Sequence, residues 1–544
     1  MNLLLIINIE RRMKKITLIA LIALNYLQIQ AQVQILQIYE NKSSAAIGTY
    51  QGINFREGGF SGLCVIPGTA GKEFYTLSDR GVNIDAKNAT CTPTYDKIYA
   101  FPTYAPKIHR IKLNGDSIQI LNSFTIKRPN GTNATGIINP TGFGSTSVEA
   151  AWNNIPSNCA DPSSVTVAKD AWGIDCEGIA IGKNNDLWVC EEGGTTVWNL
   201  AADGKVIKRY SPYANLPGAE PQDVAIDTVF KYRKNNRGFE GVAITPNGKV
   251  YAIIQSAILY PNKTDGEKSN VHRILEIDPV SGTSKMYAYL NPGDNGTSPN
   301  KISAKDWKIG DLTAVNDSVL LVIEQGVGGT NVQRNIYKLN FKNATPITSG
   351  LYSGSTVEKL KDAAGLQANS IVPVTKTLFL DLKANGWPDA LDKAEGLAIV
   401  NDSTIAVGND NDFGQSSPSE NGIATANNIS SFIYVFRLKG ANKIMNYVAQ
   451  SNTLSTPTSI EDVEEGAQNS EIVVFPNPVA DVVNIKLNNQ SSGTLDVIDL
   501  GGRVLKSVQF NGDSQLNVSD LEKGVYVLKV TTQTASKVVK LSKE

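Results

Sequence analysis

The sequence predicts an all-β protein, a β-propeller of five or six blades followed by a C-terminal immunoglobulin-like β-sandwich. Three observations predict it. One hairpin pattern recurs five times between Gly59 and Asp412. Its strands alternate apolar and polar residues between Gly, Asn-Gly and Asn-Asp turns. The alternation changes character after a polar, acidic stretch at 450–470, QSNTLSTPTSIEDVEEGAQNS.

The clearest copy is Asp175–Gly194, DCEGIAIGKNNDLWVCEEGG. Apolar residues run to Ile181, Lys183–Asp186 turn the chain, and Leu187–Cys190 return it. Antiparallel pairing brings Glu177 close to Glu191 and Glu192. Gly59–Arg80 carries Ser61 where Glu177 stands and Asp79 at its far end. Gly238–Gln255 opens on Glu240, and Gly310–Gln325 opens on Asp311 and closes with Glu324. Lys393–Asp412 opens on Glu395 and closes through Asp410 and Asp412. Further strands follow at Ile108–Ile126, Thr196–Arg209, Arg273–Leu290, Ile336–Ile347 and Phe432–Leu438. Four-stranded blades cannot bury both faces until they stack in a ring. The openings are spaced more widely than a typical repeat of about 40–50 residues, so the surplus falls in loops. The interval from Ser61 to Glu177 has room for a degenerate sixth blade.

Residues 1–32 read as a signal peptide. Arg11, Arg12, Lys14 and Lys15 precede an apolar run from Ile16 to Leu27, and Gln30-Ala31 offers a cleavage site. Export to an oxidising compartment follows, with no membrane span after cleavage. The propeller is assigned to 33–449, and Val33–Tyr39 is placed to complete its last blade beside Phe432–Leu438. Residues 81–175 hold a long polar loop, in which Glu149 reads as dispensable. The linker is 450–470, and 471–544 forms a small β-sandwich.

The formal net charge of −1 gives no reason to expect nucleic acid as a partner. Two histidines, His109 and His272, argue against a His-rich zinc site or a Ser-His-Asp hydrolase. Both open a His-Arg-Ile segment and read as structural. Five cysteines without a CxxC pair exclude zinc ribbons and thioredoxin-like chemistry. Cys91, Cys159 and Cys176 are the disulfide candidates, and Cys64 and Cys190 read as packed thiols.

The C-terminal segment closely resembles the type A sorting domain of the type IX secretion system. The residues that carry this are Phe475-Pro476-Asn477-Pro478, Gly501–Val504, LEKGVYVLKV at Leu521–Val530 and the basic tail Lys537–Lys543. The resemblance implies the type IX secretion machinery as a partner, then release or attachment at the cell surface. Residues 55–440 resemble the phytase-like family described as having esterase-like activity. The motifs are GFSGL at Gly59–Leu63, SDRG at Ser78–Gly81, Glu177-Gly178, GFEG at Gly238–Gly241, IGDL at Ile309–Leu312, AEGL at Ala394–Leu397 and NDNDF at Asn409–Phe413.

Each hairpin starts and finishes at one end, so these positions should gather on one propeller face. Glu177, Glu240, Asp311 and Glu395 form the expected ring, with Asp79, Glu191, Glu192, Glu324, Asp410 and Asp412 near it. Hard oxygen donors in such numbers suit calcium. Arg80 and Arg237 are placed to meet phosphate oxygens. The expected catalytic set is Glu177, Glu240, Glu395, Arg80 and Arg237. Each Glu-Gly also fits a turn whose carboxylate accepts backbone N–H bonds. The expected function is a secreted, monomeric, calcium-assisted hydrolase of small-molecule esters, phosphate esters first. The alternatives are a lactonase-like hydrolase and a non-catalytic surface propeller that binds a glycan or protein partner. An enzyme calls for a deep channel with converging carboxylates; a binding module calls for a shallow, aromatic face.

Overall fold

Antiparallel strand sets follow the five hairpins, the first and last joined into one eight-stranded sheet by a parallel contact between Glu40 and Ser117. The computed structural model describes residues 33–449 and 472–544, apart from 90–94, 145–148, 217–218, 351–354, 417–420, 488–491, 500–503 and 533–535. The signal segment at 1–32 and the linker at 450–470 lie outside the described residues. The chain divides into two compact units, Met1–Leu454 and Ser455–Glu544.

The first blade comprises Phe60–Val65, Glu73–Ser78, Lys107–Asn114 and Ser117–Thr125. The second runs through Cys176–Ile181, Leu187–Glu191, Thr196–Leu200 and Val206–Ser211, with a parallel edge strand at Asp223–Ala225. Phe239–Ile244, Val250–Ile254, Val271–Asp278 and Thr283–Leu290 make the third. The fourth takes Lys308–Asn316, Val319–Gly328, Asn331–Asn340 and Thr375–Asp381. Ala394–Asn401, Thr404–Asn409 and Phe432–Leu438 begin the fifth, and Val33–Glu40 pairs antiparallel with Phe432–Leu438 to complete it. The first segment of the domain thus locks its last blade, as its alternation predicts.

The innermost strands pack side by side in chain order, and Ala394–Asn401 returns to Phe60–Val65, closing the ring among the described residues. Adjacent blades share an apolar core. Leu77 and Ile108 of the first meet Val189 and Trp198 of the second, and the fourth and fifth meet through Ile323, Leu380, Leu397 and Phe436. Side chains alternate along a strand, so each inner strand feeds two cores at once. Cys176–Ile181 and Phe239–Ile244 are accordingly buried along their whole lengths.

The structure departs from expectation in two intervals. The stretch with room for a sixth blade holds a three-stranded sheet, Asn83–Asp85, Tyr95–Tyr99 and Glu149–Trp152. This sheet packs on the hairpin Ala46–Tyr50/Ile53–Arg56 around Phe55, Ile84, Ile98 and Trp152. Glu149 is buried there, 3.4 Å from Arg233. The fourth blade ends at Thr375–Asp381 rather than near Ile347, because residues 341–374 intervene with two short helical turns. A buried pair, Arg273–Glu358 at 2.6 Å, pins that insertion.

His109 and His272 are buried and structural, bonded to Ser123 and Asn291. Burial pulls each imidazole down to about 3. Cys159 is disulfide-bonded, while Cys64, Cys176 and Cys190 carry free thiols; Cys91 lies outside the described residues. Cys176 is therefore no disulfide partner. It begins an inner strand and is wholly buried.

The second unit forms two sheets of three and four strands around Val483, Ile485, Leu495, Val497, Leu528 and Val530. No described helix is long and apolar enough to cross a membrane.

Candidate functional site

A β-bulge interrupts every inner hairpin near its opening, one residue later in the first blade than in the others. Pairing skips one residue between Ser61 and Leu63, Cys176 and Gly178, Phe239 and Gly241, Ile309 and Asp311, and Ala394 and Gly396. The skipped residues are Gly62, Glu177, Glu240, Gly310 and Glu395. A bulge turns its extra residue out of the ladder and re-aims its side chain, a device common beside active sites. Three blades use the bulge to send a glutamate into the channel mouth. The glycine after it is required by the ring. A Cβ on Gly178 would stand 2.7 Å from the Val242 nitrogen, and one on Gly241 2.5 Å from the Leu312 nitrogen.

This register moves Asp311 out of the expected ring, because Gly310 holds the bulge. Asp311 sits one residue deeper, 1% exposed. Its carboxylate accepts the amide hydrogens of Leu312 (2.7 Å) and Leu397 (2.6 Å). Parity decides the far ends of the hairpins too. Glu191 pairs with Cys176, and Glu324 pairs with Ile309, each one residue ahead of a bulge. Both point away from the cavity. Glu191 caps a turn by accepting from Gly194 and from the Thr196 amide and hydroxyl. Glu324 accepts from Tyr289 (2.5 Å) and pairs with Lys376 at 2.6 Å. Glu192, the residue after Glu191, lines the cavity instead, as does Gln255 at the end of the third-blade hairpin.

That cavity measures about 600 Å³ and opens at the bulge end of the inner strands. Asp79, Arg80, Asp175, Glu177, Glu192, Arg237, Glu240, Lys308, Lys393, Glu395 and Asp412 line it, and Phe413 is its only aromatic side chain. Three carboxylate groups converge with oxygens within 4.8 Å of one another: Asp79/Asp175/Glu177, Asp79/Asp410/Asp412 and Glu177/Glu240/Glu395. Two contain a built-in cation. The Arg80 guanidinium pairs with Asp175 and donates to the Tyr99 hydroxyl at 3.3 Å. The Lys393 ammonium lies 2.6 Å from both Asp410 and Asp412.

The third group has no ion pair among the described residues. Gln255 donates to Glu240 Oε1 at 2.6 Å, and the buried Oε2 has no partner. Burial, then the like charge of Glu192 and Glu395, pushes Glu240 well above the carboxylate range. Burial, then Glu240 and Asp79, does the same to Glu177. Burial raises Glu395 to about 8, with Lys393 opposing and Asp410 reinforcing the shift. Asp79 and Asp412 are raised by burial against the pull of Arg80 and Lys393 respectively. Arg237 is held at 3.0 Å by the Ser256 hydroxyl, and Lys308 has no ion pair among the described residues.

Sequence reasoning thus identified Glu177, Glu240, Glu395, Asp79, Asp410, Asp412, Arg80 and Arg237, all of which meet at this mouth. Glu192, expected beside Glu177, lines the cavity as well, while Asp175, Lys308 and Lys393 were missed. Lys308 and Lys393 each stand two residues before a bulge, so the repeat register could have located them.

Comparison with known proteins fits this arrangement. The family model for the secretion system C-terminal sorting domain matches residues 473–544, which makes the chain a secreted or cell-surface protein of the type IX pathway. An uncharacterized secreted protein of Arthroderma benhamiae is 32% identical over 136 residues, 21% of this chain and 26% of that protein. The chain thus spans about a quarter of that relative's length. Among solved structures, PorZ, a surface component of the type-IX secretion system of Porphyromonas gingivalis, is 12% identical. The match covers 91% of this chain and 61% of PorZ, at a TM-score of 0.27. The PQQ-bound aldose sugar dehydrogenase of Streptomyces coelicolor is 12% identical over 74% of this chain and 97% of its own, with a TM-score of 0.28. Neither score carries an argument. The propeller is matched over residues 56–413 by the model for esterase-like activity of phytase, and the chain belongs to this phytase-like family.

Proposed function

We propose that the bulge-end cavity hydrolyses phosphate esters with the help of one divalent cation, calcium by its all-oxygen donor set. The observation that carries this is the Glu177/Glu240/Glu395 group. It gathers three buried carboxylates, leaves Glu240 Oε2 without a partner, and has no built-in cation among the described residues. Such a group is tolerable in its ionised form only when a cation offsets it, so the residues fit the ion.

Calcium held there would offset the charge of a phosphoryl group and lower the pKa of an attacking water. The chain's own groups do the rest. Arg237, steadied by Ser256, offers its guanidinium fork to phosphoryl oxygens. Lys308 stands on the fourth blade, where Gly310 leaves no carboxylate, and adds positive charge to the same cavity. Arg80 is committed to Asp175, so we assign it to ordering the acidic wall rather than to substrate. Glu192 lines the cavity, and we assign it as the base that accepts the water proton.

The deep, polar cavity favours an enzyme over a shallow, aromatic binding face. The test is a panel of phosphomonoester, phosphodiester and carboxylester substrates, run with calcium and then with chelator. Calcium-dependent turnover of a phosphate ester supports the proposal. Calcium binding without turnover of any ester would overturn catalysis and leave a structural ion in a binding propeller.

A further inference from the structure

The rim presents three acidic groups but leaves only one open to an external ion. We propose that Lys393 is a resident substitute for a second divalent cation, so that the protein takes up one calcium where its carboxylates could hold two. The inference rests on the reading of Glu177, Glu240 and Glu395 as the ion site.

Asp79, Asp410 and Asp412 gather their oxygens within 4.8 Å, as tightly as the glutamate group does. The difference between the two groups is what lies among the oxygens. In the glutamate group Oε2 of Glu240, a residue 1% exposed, has no partner at all. In the aspartate group the Lys393 ammonium is seated 2.6 Å from Asp410 Oδ2 and 2.6 Å from Asp412 Oδ1. The chain is shaped to hold that arrangement. The Asp412 amide donates to Asp410 Oδ1 at 2.8 Å. Asp412 and Phe413 both adopt left-handed backbone conformations, φ 48° and 56°, which non-glycine residues rarely take. An ammonium brings a single charge and three donors, enough to hold two carboxylates, and it cannot leave. A divalent ion would compete for the same oxygens only if the ammonium were gone.

Removing the Lys393 charge should therefore turn a filled group into a second calcium site. Calcium stoichiometry of the full chain, by titration calorimetry and by elemental analysis after desalting, reads this directly. We expect one calcium per chain in the natural protein, two in Lys393→Met, one in Lys393→Arg, and one again in Lys393→Met/Asp410→Asn. Natural protein that binds no calcium overturns the glutamate site itself. One calcium in the natural protein and still one in folded Lys393→Met overturns this inference alone, as does a natural protein that binds two. Lys393→Met that unfolds in chelator should refold with millimolar calcium, with a melting temperature that rises further with calcium than that of natural protein. Failure of calcium to rescue it, while Lys393→Arg stays folded, also overturns the inference.

Discussion

The two mouths of the central channel are built from the same five strands and have opposite chemistry. At the bulge end, a cavity of about 600 Å³ is lined, among the described residues, by nine carboxylates and by guanidinium and ammonium groups. At the other end, a cavity of about 450 Å³ is lined by Ile66, Ile181, Ile244, Ile399 and Val400, with Tyr447 and Val448 crossing it as the chain leaves the domain. The inner hairpins of the second and third blades pair regularly at that end, while those of the fourth and fifth shift register between Ala314 and Asn316 and between Ile399 and Asn401. Where pairing is regular, side chains keep alternating between two interblade cores. The bulge breaks that alternation at the first mouth, and a broken alternation is what admits a buried carboxylate.

The neck between the mouths should show the largest effect. Asp311 accepts backbone amides from two blades, those of Leu312 and Leu397. Asp311→Ala leaves both donors buried and unpaired, at about 1–3 kcal/mol each. We expect urea unfolding to show a loss of about 4 kcal/mol, with calcium affinity of the folded fraction unchanged. A large loss of calcium affinity at unchanged stability would restore Asp311 to the ring.

The bulge glutamates should behave in the opposite way. Glu240→Gln removes a ligand charge from a crowded group while keeping its shape. Calcium affinity should fall about 100-fold and any ester turnover at least as much, by analogy with the loss of other metal-site partners. Metal-free protein should meanwhile become more stable, because one source of repulsion is gone. Glu177→Gln and Glu395→Gln should follow the same pattern in calorimetry and thermal melts. Glu191→Gln and Glu324→Gln should instead destabilise without changing calcium affinity, since their carboxylates serve Thr196 and Lys376.

Acidity separates the two mouths as well, since among the described residues carboxylates line only the bulge end. In metal-free protein the folded-state pKa of Glu395 is raised to about 8 by burial, against an ordinary value of 4.5. Glu177 and Glu240 shift the same way. A carboxyl raised on folding contributes stability that is complete below its unfolded pKa and lost as pH rises through the folded one. The melting temperature in chelator should therefore fall from about pH 4.5 to about pH 8. Calcium should flatten that slope, raising stability at pH 8 and adding little at pH 4.5. A metal-free melting temperature that climbs across this window would contradict the crowded-carboxylate reading.

How much of this was legible follows from periodicity. Hairpin alternation located all five inner strand pairs, and the alternation of Val33–Tyr39 located the closing strand. The Glu-Gly pairs marked three bulge positions because a glycine there is a steric requirement of the ring. The slips at Asp311, Glu191 and Glu324 have one cause. A bulge shifts the face of every later residue by one, and a sequence does not display where the extra residue falls. Glu149 was misread for another reason: its burial depends on Arg233, far along the chain, and nothing local announces that contact.

The smallest effect belongs to the apolar mouth, and it is the control that gives the comparison its meaning. Ile244 ends the inner strand that Glu240 begins, and it is 4% exposed in the core between the second and third blades. Ile244→Val removes one methylene from that core, a change that costs about 1 kcal/mol. The strand keeps its ladder, its bulge and the aim of Glu240, because the substitution alters no backbone preference of a β-branched residue. Urea unfolding should register the loss, while calcium stoichiometry, calcium affinity and turnover stay where they were. Should Ile244→Val weaken calcium binding as much as it weakens the fold, the two mouths would be mechanically coupled along the strand. The bulge would then be a hinge between them rather than a fixed mount for the glutamate.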